Sequence, residues 1–207
     1  MNRRSILSII GISPLALISS KIPANRALTD ILIKRWVKSK EYTLAVFDTM
    51  PAATIEYSPS QDQLTFVQHF LHLGLINNFY FGILVDTKTY PDFSRLIEAD
   101  FLIPRPDPIN VFQPDFLEKR EPEINKGLVL KYLNDTFNYV ISCLEQVNDS
   151  SLAEGLSKEK PEFLSGHTNL DLILRGESHT AHHRAQAVVY LRSKGIRPPK
   201  YTPYNKF

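Results

Sequence analysis

Six histidines are the residues of this sequence best suited to chemistry, and five of them fall in two short segments: His69 and His72, then His179, His182 and His183. His179 and His183 are four apart. On a helix that spacing stacks both imidazoles on one face, one turn apart, where they can share a metal ion. The same face continues through Leu172, Gly176, Ala187 and Tyr190, a register that a bundle helix normally gives to apolar residues. Two imidazoles buried there are costly unless something satisfies both. A metal ion would do so. Hydrogen bonds between them, or to carboxylates, would also do so, and spacing alone leaves both options open. A third ligand has to come from the other segment. His72 shares a face with Ile76 and Phe79 and therefore points inward. Three neutral imidazoles can hold a divalent ion and leave one coordination position open, as in catalytic zinc sites. His69 and His182 lie about 60–100° off those faces. They are expected at the surface or behind the ligands, and His167 is expected to be exposed. The ordinary imidazole pKa near 6.5 puts proton competition for the ion below about pH 6.

The elements that must position these groups are marked out by proline. The chain has 14 prolines, and they leave four long gaps, at 24–50, 60–90, 123–160 and 162–197. Proline breaks helix interiors, so these gaps are where helices can form. In the third gap Leu130, Leu133, Phe137, Val140, Leu144 and Val147 recur at alternating spacings of three and four, the buried stripe of a bundle helix. The second gap carries Phe66, Val67, Phe70, Leu73, Ile76, Phe79, Tyr80, Ile83 and Leu84 after candidate N-caps Ser58, Ser60 and Asp62. The first carries Ile33, Trp36, Val37, Leu44 and Phe47. The fourth ends at Gly195, a suitable residue to follow a helix C-cap. No segment alternates as a strand would. The sequence predicts an all-α four-helix bundle, with a long irregular, proline-rich connection over 91–122 between helices two and three. Phe101, Leu102, Ile103, Val111, Phe112 and Phe116 are expected to pin that connection to the bundle.

The segment Glu177-Ser178-His179-Thr180-Ala181-His182-His183-Arg184-Ala185-Gln186 resembles the "DHxxHHRGQ" signature of the DinB-like (YfiT-like) metal-binding family. The tail Val188-Val189-Tyr190-Leu191-Arg192, then Gly195 and Pro198-Pro199-Lys200-Tyr201, is similar to that family's "VYLR..G..PP.Y". Upstream, Trp36, Tyr42-Thr43-Leu44 and Met50-Pro51 look like its first helix. Thr65-Phe66-Val67-Gln68 followed by His72 looks like its second, and Phe137-Asn138-Tyr139-Val140 like its third. The resemblance runs over residues ~35–203. It implies a four-helix bundle and a divalent metal ion held by His72, His179 and His183; of the metals that imidazole donors suit, zinc or nickel is expected. It also implies kinship with thiol S-transferases that use bacillithiol or mycothiol. The sequence departs from the signature at Ala185, where the family has Gly, and at Ser178, where it has Asp. The second change removes a carboxylate that could orient a ligand, leaving Glu177 or Gln186 as substitutes.

Composition narrows the function further. The 24 basic and 22 acidic residues give a net charge of +2, and removal of Arg3 and Arg4 leaves 22 of each. A neutral body argues against nucleic-acid binding. The single cysteine, Cys143, excludes an intramolecular disulfide framework and is expected to be a buried small hydrophobe. Residues 1–20 read as an export signal of twin-arginine or Sec type. Arg3-Arg4 precede an apolar run, Ile6–Ile18, too short to span about 30 Å of hydrocarbon. Ser20 or Ala24 offers the cleavage point. The domain then occupies 25–207, in the periplasm or another extracytoplasmic space, with no stable membrane insertion. The expected function is that of a divalent-metal protein acting as a hydrolase or thiol transferase on a small molecule. A noncatalytic metal- or ligand-binding bundle is the alternative, and a homodimer is compatible with either. Arg184, next to a proposed ligand, is expected in a solvent-facing salt bridge, with an anionic substrate as its other use.

Overall fold

The computed structural model describes residues 26–107, 117–155, 159–166 and 168–205, and among them every regular element is helical. The expected export signal, His167, Val111, Phe112 and Phe116 lie outside the described residues. Four long helices occupy the four proline gaps: α1 over Ala27–Thr49, α2 over Phe66–Val85, α4 over Pro122–Gln146 and α6 over Asn169–Ser193. Two single-turn helices, α3 (Phe93–Leu96) and α5 (Asp149–Leu152), stand between them. None of the described helices is long and apolar enough to cross a membrane.

Local signals set the helix ends. α2 starts at Thr65, not at the serines or aspartate expected from the sequence. The Thr65 hydroxyl accepts the Gln68 amide at 3.3 Å, and the Gln68 side chain accepts the Thr65 amide at 2.7 Å. This reciprocal box satisfies two backbone donors that no helical carbonyl can reach. α4 begins on Pro122, whose missing N–H costs nothing at a first-turn position. α1 is capped from a distance. Asp149, in α5, accepts the backbone amides of Leu28 and Thr29 and the Thr29 hydroxyl at 2.7–3.0 Å. α6 stops at Gly195, with φ of +73°. Ile196 donates to the Leu191 carbonyl and Gly195 to that of Arg192, a Schellman closure that needs this left-handed residue.

α1 and α2 each pack against both α4 and α6. Across the diagonal, α1 meets α2 through aromatic rings, Trp36 on Phe81 at 4.8 Å and Phe47 on Phe70 at 4.9 Å between centroids. The expected stripe on α4 is buried at Leu133, Phe137, Val140 and Leu144 and broadened by Val129, Tyr132, Thr136 and Cys143. Each large apolar side chain sealed in this core contributes about 1.5–3 kcal/mol. α2 is different in kind: residues on nearly every side of it are buried. The connection after α2 covers one side. Asn78 accepts the Ile103 amide at 2.7 Å and donates to the Phe101 carbonyl at 3.3 Å. The Phe101 ring lies over Gly82, where any Cβ would run into it. Further along, Asp107 grips the Arg120 guanidinium and the Glu118 amide, joining the two ends of the connection.

Candidate metal centre

The fold brings α2 and α6 side by side, and the imidazoles of His72, His179 and His183 converge between them. One ring nitrogen from each lies within 4.8 Å of the others. His179 Nε2 stands 3.2 Å from His72 Nε2 and 3.1 Å from His183 Nε2. His183 is buried, while His72 and His179 are half-buried. Just along the interface, Asn77 of α2 donates to the Thr180 hydroxyl of α6 at 2.7 Å and locks the two helices in register.

Hydrogen bonding alone cannot satisfy this cluster. A neutral imidazole nitrogen is either one donor or one acceptor, yet His179 Nε2 faces two other ring nitrogens at once. A tetrahedral zinc ion with Zn–N of about 2.0–2.1 Å would set its nitrogen ligands about 3.3 Å apart. His179 Nε2 stands at nearly that spacing from each of the other two. The three side chains therefore fit a divalent ion and could hold one.

Burial first, and repulsion from neighbouring imidazoles second, disfavour protonation here. The pKa of His179 is lowered to about 4 and that of His183 to about 2. The folded protein thus presents the neutral form that a metal requires well below the pH 6 expected from free imidazole.

His69 takes the second of the two places expected for it, behind a ligand. It is 2% exposed, not on the surface, and its Nδ1 lies 2.9 Å from His183 Nδ1. Its ring also stands edge-on to Tyr190 at 5.2 Å, and its pKa is lowered to about 4 by burial. If His183 coordinates through Nε2, its Nδ1 carries the proton, and His69 Nδ1 is the acceptor in place. A metal-bound histidine usually finds a carboxylate or carbonyl there. Here a second histidine takes that position. The expected substitutes lie elsewhere: Glu177 pairs with Arg35, and Gln186 lies 2.6 Å from His182 Nε2. His182 is exposed, as expected. The His69-x-x-His72 spacing was the available signal, since residues three apart are neighbours on a helix.

Arg184 is misplaced by the sequence reading. It forms no salt bridge among the described residues. Instead Nη1 donates to the Ser39 and Thr43 hydroxyls of α1 at 2.9 and 3.0 Å.

Comparison with known proteins adds one match. A family model described as the DinB superfamily covers residues 35–187, a span that includes all three converging histidines. No curated protein matches the chain.

Proposed function

The chain belongs to the DinB superfamily, and on that premise we propose that it is a divalent-metal protein whose ion is held by His72, His179 and His183 and serves a metal-dependent reaction. The observation that carries this reading is the convergence of three ring nitrogens on a point that their own hydrogen bonds cannot satisfy. A bound divalent ion would act as a Lewis acid and lower the pKa of a water or thiol at its open position. The protein's part is to keep His179 and His183 neutral by burial, to fix His183 through His69, and to hold α2 against α6. Imidazole donors suit zinc, nickel and copper alike, and zinc or nickel is our reading.

Hydrolysis and thiol transfer are the two reaction classes this site would serve. Export through residues 1–20 weighs toward hydrolysis, because cytosolic low-molecular-weight thiols would be scarce outside the cytoplasm. The noncatalytic alternative draws on a specific feature: behind Nδ1 of His183, the buried one of the three, stands another histidine and not a carboxylate. The test of metal binding is elemental analysis of untagged protein purified without chelators, alongside single alanine variants. About one ion per chain is expected, lost in His72→Ala, His179→Ala and His183→Ala. Wild-type metal content in His183→Ala would overturn the ligand set. N-terminal sequencing of the protein from the native extracytoplasmic fraction tests export, and an intact Met1 there would refute cleavage.

A further inference from the structure

On the side of α6 away from the histidines, a cavity of about 670 Å³ opens between α1, α6 and the segment around the 3₁₀ turn Thr202–Tyr204. Its volume is in the range that encloses a small organic molecule. At about 100° per residue, Glu177, Ala181 and Arg184 lie about 100–160° around the helix from His179 and His183. The cavity is therefore separate from the histidine cluster.

Its charge is unbalanced. Arg35, Lys38 and Arg184 line it against one carboxylate, Glu177, and Lys38 is paired outside the lining with Glu41 at 2.8 Å. Arg35 already pairs with Glu177, with Nε donating at 3.2 Å. Among the described residues Arg184 forms no salt bridge. Its Nη1 donates to three neutral oxygens of Ser39 and Thr43, and the guanidinium lies 4.9 Å from the Tyr42 ring centroid. Among the described residues the Nε and Nη2 donors of Arg184 make no hydrogen bond, and they are not sealed from solvent. Nε and Nη2 form one edge of the guanidinium, and that edge matches the two oxygens of a carboxylate in a bidentate pair.

The other wall is aromatic. Tyr42 packs against Tyr201 and Tyr204, each at 5.1 Å between centroids, and Tyr201 is 54% exposed. We propose that this cavity binds a small organic carboxylate with a flat aromatic body, its carboxylate on the free edge of Arg184 and its ring against the tyrosines.

Benzoate is the probe, titrated into the full protein at fixed ionic strength and followed by NMR, with acetate and inorganic phosphate as comparisons. Saturable benzoate binding is expected, with acetate and phosphate much weaker. Arg184→Lys keeps the charge but loses the fork, so benzoate affinity should fall about tenfold or more. Tyr201→Ala should weaken it severalfold, and His183→Ala should leave it unchanged. Should Arg184→Lys lose its helical circular dichroism, Tyr201→Ala decides, because that ring is exposed and its removal spares the core. The proposal is overturned if benzoate does not saturate, if phosphate binds as well, if neither variant weakens binding, or if binding disappears with His183.

Discussion

Replacing His69 by alanine removes a side chain that touches no metal, yet it should weaken metal binding. With the ion on Nε2, His183 presents an Nδ1–H to His69 Nδ1, 2.9 Å away in a buried position. Alanine leaves that donor without a partner, at a cost of about 1–3 kcal/mol. Because 1.4 kcal/mol is tenfold in an equilibrium, this corresponds to roughly 5- to 150-fold in affinity. Loss of a partner behind a metal ligand typically costs about 10–100-fold, so the two routes agree. His69→Gln should recover much of the loss, since its amide oxygen can accept the same proton. The assay is competition for zinc against a chromophoric chelator. Thermal unfolding of each metal-free variant is needed beside it, because alanine also opens a cavity under Tyr190 and lowers stability by itself. If His69→Ala binds zinc as tightly as the wild type while His183→Ala does not bind it, the relay through Nδ1 is refuted.

His182→Ala should keep wild-type metal content and melting temperature, because that ring is exposed; a loss of metal on elemental analysis would contradict its placement. The lowered pKa values of His69, His179 and His183 mean that below about pH 6.5 the unfolded chain binds protons that the folded chain does not. Metal-free protein should therefore lose stability as pH falls from about 7.5 to 5.5, read as a lower urea midpoint, and an unchanged midpoint would count against neutral buried imidazoles. In the same range His179 and His183 should stay neutral and available to a metal, which retention of metal on dialysis checks. Gly82→Ala should destabilise by about 1–3 kcal/mol despite alanine's better helix propensity, because the new methyl meets the Phe101 ring; chemical denaturation checks this. Cys143, buried with its pKa raised to about 11, should resist thiol reagents until the bundle unfolds, and rapid labelling under native conditions would show that α4 opens locally.

The four long helices were legible because proline is absolute: no helix interior tolerates it, so the gaps bound the elements before any hydrophobic pattern is weighed. His179 and His183 were legible for a related reason, since imidazoles in an apolar register demand an explanation. What escaped was set by partners distant in the chain. A helical wheel placed His69 off the inward face of α2, but α2 is enclosed on nearly every side, so "off the face" there still means buried. Arg184 was read as solvent-facing because sequence could not show α1 supplying Ser39 and Thr43 as acceptors. The Thr65–Gln68 box was readable from its spacing, and the earlier serines masked it. The one-turn helices α3 and α5 are too short to leave any periodicity. The role of Asp149 in α5, capping α1 more than a hundred residues earlier, is purely tertiary.

The placement of the ligands on α2 and α6 sets an order of assembly. His72 and His179 are separated by 107 positions, and α6 is the last long helix of the described chain. Until α6 docks, only its own i, i+4 pair is available, and α2 offers only one of the three converging imidazoles, with His69 beside it, on an exposed apolar surface. Metal capture at full strength would thus be a late folding event. Once made, the linkage ties together segments as remote as those joined by a long-range disulfide. Closing a loop of about a hundred residues in that way is worth about 4–5 kcal/mol in chain entropy. The ion's departure would then be governed by how often α6 peels away from α2, and less by the strength of any single bond to it.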